Sequence, residues 1–106
     1  MTMRGIVDRP DLLPIGREQS GHRGVYFLER DGKRLATLTY SLAGKDRAIL
    51  DHTEVSDELR GSGAGGRLVE AAVRWAREEK KMVLPLCPFA KSVFDKTPAY
   101  QDVLLR

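Results

Sequence analysis

Cysteine is almost missing from this 106-residue chain; Cys87 is the only one. An internal disulfide is therefore excluded, and a reducing compartment is the expected setting. Long apolar runs are missing too. The opening MTMRGIVDRPDLLPIG contains no stretch that could serve as a secretory signal or cross a bilayer. A cytoplasmic protein with no membrane partner is expected. Charge of one sign is also not in bulk supply. Eighteen Lys and Arg against fifteen Asp and Glu leave a formal charge of +3, and the signs are interleaved, as in RWAREEKK. Interleaving marks a solvated face rather than a nucleic-acid footprint. With only 7% aromatic residues and no aromatic-basic platform, no nucleic-acid partner is expected. The small basic surplus still favours a phosphate-bearing ligand.

What is present suits one globular domain spanning 1–106, 42% hydrophobic and 31% charged, able to bury a core without a metal or disulfide. No repeat, low-complexity tract or linker divides it, and no metal site is expected. Residues 1–23 are turn-rich, with one short strand near Ile6 and Val7. GVYFLERDGKRLATLTYSL reads as two strands, Val25–Arg30 and Arg34–Leu42, turned at Asp31-Gly32, a pair suited to the positive φ angles of a tight hairpin. AGKD turns the chain again, and RAILDHTEV forms a third strand ending near Val55. After the glycines, Leu68, Ala72, Trp75 and Ala76 recur at helical spacing, with Val69 and Val73 widening the stripe. Lys81–Cys87 is a compact apolar strand. Because a helix separates it from the previous strand, the two should be parallel. PFAKSVFDK is a short helix with Pro88 in its first turn, ended by Pro98. The fold class is α+β: antiparallel strands leading into a β-α-β unit, then a short C-terminal helix.

Between the third strand and the helix, Gly61, Gly63, Gly65 and Gly66 fill four of six positions. A tight connection needs one glycine. Four in a row of six, opening a helix, point to bare amides turned toward a phosphate. A dinucleotide fingerprint fits the spacing but not the context, since Ser56–Arg60 separates the glycines from the strand. A P-loop lacks its closing Gly-Lys-Ser/Thr.

Val55, Asp57 and Arg60, followed by Gly-Ser-Gly-Ala-Gly, resemble the V-x-P-x-x-R-G-x-G-x-G/A signature of the GNAT superfamily of acyl-CoA-dependent N-acyltransferases. Asp57 departs from the usual proline. Together with PLCPF and PAYQD, the stretch from Val25 to Val103 is similar to the compact, single-domain YjdJ-type branch of that superfamily. The resemblance implies a minimal GNAT-like fold in which two parallel strands splay apart to admit acetyl-CoA. Val55 would meet the pantetheine arm through its backbone. Arg60, Gly61, Ser62, Gly63, Ala64, Gly65 and Gly66 would hold the diphosphate. Pro85, which cannot donate to a ladder, fits a strand whose pairing lapses. The later strands of larger members have no counterpart before Arg106, so an open acceptor face, or one completed by another subunit in an oligomer, is expected.

The implied activity is acetyl-CoA-dependent N-acetylation of a primary amine, and an open acceptor face would admit one on a protein or peptide. Cys87 precedes the Pro88 helix, and a helix N-terminus favours a thiolate. His52, on the neighbouring strand, is the expected proton-handling partner. A Cys–His pair would permit an acyl-enzyme; read without the resemblance, both residues could equally be ordinary core residues. In direct transfer, His52 or Glu54 would take the amine's proton through water, and Tyr100 is the candidate acid for the leaving thiolate or else a packed aromatic. The alternative function is a non-catalytic module that binds CoA or acyl-CoA.

Overall fold

The computed structural model describes residues 13–105. Five strands form one sheet in sequential order. They are β1 (Ile15–Ser20), β2 (Arg23–Arg30), β3 (Lys33–Leu42), β4 (Arg47–Val55) and β5 (Met82–Pro85). The first four are antiparallel neighbours, and β5 runs parallel to β4. Helix α1 (Ala64–Glu79) makes the crossover between β4 and β5, and α2 (Pro88–Lys96) follows β5. The architecture is α+β, as the sequence implies.

Alternation builds the core. Tyr26 and Leu28 on β2 and Ala36, Leu38 and Tyr40 on β3 are buried, whereas Val25, Phe27, Thr37 and Thr39 between them are half-buried on the other face. Leu68, Val69, Ala72, Val73 and Ala76 of α1 complete the packing and are 0% exposed. Burying each Leu or Val contributes about 1.5–3 kcal/mol. Trp75 is only partly buried and stacks on Tyr40, with ring centroids 5.0 Å apart. Asp31 (φ 52°) and Gly32 (φ 78°) form the expected tight hairpin turn between β2 and β3. The tail is tied down by Arg77, whose guanidinium binds both carboxylate oxygens of Asp102 at 2.9 Å, and by the Leu105 amide donating to the Val83 carbonyl at 2.8 Å.

Two expectations need correction. Ile15–Ser20, inside the segment expected to be turn-rich, is a strand paired with β2. IGREQS does not read as a strand because it is an edge, and a cation replaces an apolar side chain: the Arg17 guanidinium lies 5.0 Å from the Trp75 ring and 5.9 Å from Tyr26. The second apolar strand is shorter than Lys81–Cys87, because Pro85 ends it. The strand expected near Ile6 and Val7 lies outside the described residues.

Two irregularities in the sheet shape the site. On β4, Leu50 pairs with Tyr40 and His52 with Thr39, leaving Asp51 as an extra residue in a β-bulge. On β5, pairing with β4 ends at Leu50–Pro85. The Leu50 carbonyl then accepts from two successive amides, Leu86 and Cys87, each at 3.1 Å. Beyond that forked bond the strands part.

Candidate active site

The glycine segment leaves β4 through a short 3-10 turn (Asp57–Leu59) and enters α1 at Ala64. Its four glycines have three different reasons to be glycine. Gly61 (φ +80°) and Gly63 (φ +86°) occupy the left-handed region, which strains any side chain. At Gly65 the Phe89 ring lies 2.6 Å from where a Cβ would be, so the residue is bare to admit an aromatic neighbour. Gly66 has neither reason: its backbone is helical, and nothing lies within 4 Å of a Cβ built there. Open space is all that its missing side chain provides.

That space belongs to a cavity of about 390 Å³ lined by Val55, Leu59, Arg60, Gly61, Gly63, Ala64, Gly65, Gly66 and Phe89. The N-cap, Gly63, has no side chain to cap the helix, and the first turn carries no acidic residue. The Arg67 amide donates to the Gly63 carbonyl at 3.1 Å. The amides of Ala64, Gly65 and Gly66 precede that bond, so they have no intrahelical acceptor, at the positive end of the helix dipole. Ser62 is different. Its amide (3.0 Å) and its hydroxyl both donate to the Leu59 carbonyl, so it braces the loop. Arg60 pairs with Asp57 at 2.6 Å, but both side chains are well exposed. Such surface pairs are weakly held, which leaves the guanidinium able to change partner.

Where the strands part lies Cys87, 4% exposed and at the N-cap of α2. Its sulfur is 3.2 Å from the Thr53 hydroxyl. Burial pushes the thiol up, but the Thr53 hydroxyl and the backbone of Ala90, Phe89 and Thr53 outweigh it, and the net shift is downward. Pro88 has no amide to offer, so Phe89 and Ala90 are the first donors of the helix.

His52 is not beside that sulfur. The bulge gives Thr53 a buried cross-strand neighbour, Leu38, while His52 is opposite the half-buried Thr39. Successive strand residues face opposite ways, so His52 is turned to the face away from Cys87. The expected Cys–His contact is replaced by a Cys–Thr contact. His52 and Glu54, the two candidate bases, share one face of the strand, with Nε2 to Oε2 at 3.4 Å and both side chains exposed. Tyr100 packs edge-on against Phe94, centroids 5.7 Å apart, and burial pushes its phenol up. Thr53 had no signal in the sequence, because nothing in RAILDHTEV announces a bulge.

A model of the GCN5-related N-acetyltransferases matches residues 25–103. The chain belongs to that family. A GCN5-like protein from Staphylococcus aureus, known from its solution structure, is 36% identical, with a TM-score of 0.68 and 88% of each chain covered. Two more distant structures share the fold. The ribosomal-protein-S18-alanine N-acetyltransferase of Escherichia coli is 16% identical with a TM-score of 0.61, covering 74% of this chain and 53% of its own. The aminoglycoside N-acetyltransferase AAC(6')-Iy, in complex with CoA, is 17% identical with a TM-score of 0.53, covering 74% and 68%. No curated protein matches the chain. Among the described residues of this GCN5-related acetyltransferase, no group of three or more His, Cys, Asp or Glu could hold a metal, and no helix is long and apolar enough to cross a membrane. The family's thioester carrier fits the residues present: three first-turn amides without intrahelical acceptors belong to residues lining one cavity, and the space beside Gly66 is open.

Proposed function

We propose that this protein acetylates a primary amine with acetyl-CoA as donor, and that the reacting centre lies where β4 and β5 part. The observation that carries the reading is the uncapped glycine cradle between Val55 and Gly66, lined also by Phe89, two residues after a thiol whose ionised form is favoured. The amides of Ala64, Gly65 and Gly66, with Gly61, Gly63 and the Arg60 guanidinium, hold the diphosphate; Ser62 keeps the loop in shape. Val55 and the stretch of β4 beyond Leu50 offer an edge without a β5 partner to an extended pantetheine arm. Acetyl-CoA supplies an activated thioester. The Cys87 thiolate attacks the acetyl carbonyl and expels CoA as its thiolate; the amine then attacks the Cys87 thioester, its proton going to the released CoA thiolate, and the sulfur returns to the thiolate.

His52 and Glu54, paired on the opposite face, favour a second reading. There the amine approaches from the exposed side of the sheet, loses its proton to His52 and attacks the thioester carbonyl, expelling CoA as its thiolate. The acceptor is a primary amine on a small molecule, protein or peptide, and the exposed position of His52 suits an accessible acceptor. A single experiment separates the two routes. The intact chain is incubated with labelled acetyl-CoA and no amine, and the protein is analysed for bound label. Label on the wild type and none on Cys87→Ala, with turnover down at least about 100-fold and CoA binding retained, supports the acyl-enzyme. Unchanged turnover in Cys87→Ala overturns it and leaves direct transfer. A chain that binds CoA but never turns over with any amine would be a binding module.

A further inference from the structure

We infer that Thr53 is a positioning residue for Cys87, its hydroxyl bonding the sulfur where β4 and β5 part. This rests on the proposed role of Cys87, but its own test does not. The geometry comes from both irregularities of the sheet. Plain alternation from Leu50 would turn residue 52 toward the helix layer; the extra residue at Asp51 turns Thr53 there instead. Pro85 ends the ladder, and the forked bond from Leu86 and Cys87 to Leu50 lifts the chain away just as α2 begins. The sulfur thus sits where the next ladder bonds would have been. It receives the Thr53 hydroxyl at 3.2 Å from one side and the start of α2 from the other.

The charged groups nearby have other partners. Lys91, one turn along α2, has its ammonium 3.9 Å from Asp95, and on β4 His52 and Glu54 pair with each other on the far face. Neutral donors must therefore hold the negative charge. Hydrogen bonds to an ionised acceptor are roughly twice as strong as neutral ones, so losing one of them matters. A hydroxyl also suits a group that alternates between charge and thioester. It donates to the thiolate and can turn away when the sulfur is acylated, whereas a permanent cation would oppose that step.

The test uses the ultraviolet absorbance of the thiolate as pH rises, in the intact chain, with Cys87→Ala as blank. Cys87 is the only cysteine, and all three tyrosines have phenols pushed above their ordinary value, so their ionisation stays clear of the window. The wild type should titrate below the free value of about 8.5. Thr53→Val should raise the midpoint enough to cut the thiolate fraction on the acid side about tenfold, one pH unit. Thr53→Ser should restore it. Thr53→Ala, without the branched side chain, should repeat the Val result if packing is not the cause. In turnover, Thr53→Val should lower kcat with little change in KM for acetyl-CoA, and recover as pH rises; damage to the fold would not recover. An unmoved midpoint in a folded Thr53→Val or Thr53→Ala chain overturns the inference. A moved midpoint with full turnover in Cys87→Ala supports Thr53 as the sulfur's partner while overturning the acyl-enzyme.

Discussion

Strand β4 is two strands laid end to end. From Ala48 to Leu50 it is paired on both edges, with β3 and with β5, and Ala48 and Leu50 are 0% exposed. From His52 to Val55 it is paired with β3 alone, and its side chains are divided between the Cys87 sulfur and an exposed face. One inserted residue, Asp51, and one missing donor, at Pro85, account for the change. The first half has a partner strand on each side and contributes stability. The second leaves an edge unmet, which costs stability and creates a place for another chain-like molecule to pair. On the proposed reading, function in this small domain begins where the sheet stops satisfying itself.

The largest effect that would test this division is in the first half. Leu50→Ala removes a 0% exposed side chain beneath α1, and such truncations cost about 2–5 kcal/mol. Urea unfolding should show that loss, while CoA affinity measured in the folded population changes little. If Leu50→Ala instead weakened CoA binding more than stability, the two halves would not be separable, and the comparison would fail.

A second variant sharpens the contrast, because two properties should move in opposite directions. Gly66→Ala adds a methyl to a helical residue with open space around it. Replacing glycine by alanine in a helix stabilises by roughly 0.5–1 kcal/mol. The same methyl intrudes on the cavity and should weaken CoA binding about tenfold or more, close to 1.4 kcal/mol. Melting and calorimetry on one sample check both. Gly65→Ala is a second probe of the same cavity, since the Phe89 ring that lines it would have to shift. A Gly66→Ala chain that is more stable and binds CoA as before would refute the role given to the cradle.

How much of this was legible in the sequence follows the same division. RAILDHTEV and PFAKSVFDK gave the limits of β4 and α2 as found, because alternation, a proline in a helix's first turn and a glycine-rich exit are local signals. The parting of the strands was readable from Pro85 with the family resemblance. Three things were not. β1 was hidden because Arg17 packs by its guanidinium over aromatic rings. The separate duties of the four glycines were hidden because Phe89, which fixes Gly65, is over twenty residues away. Thr53 was hidden because a bulge is settled by the partner strand, and a one-residue change in register reverses which side chains face the core. Local order was readable; long-range register was not.

The smallest effect expected is on stability against pH. The thiol of Cys87 is held below its ordinary value in the folded chain. At a pH between the folded and unfolded values, the unfolded state therefore carries the extra proton. Stability should then rise with pH across that window, level off above the unfolded value of about 8.5, and lose the contribution as pH falls through the folded value. Subtracting the pH profile of Cys87→Ser from that of the wild type removes the titrations common to both. The remaining difference should climb toward alkaline pH, and climb less in a Thr53→Val background. A difference that falls instead would mean that burial outweighs the donors and keeps the folded sulfur protonated. Cys87 would then belong with Leu50 as a core residue, and the active half of β4 would have to work through His52 and Glu54 alone.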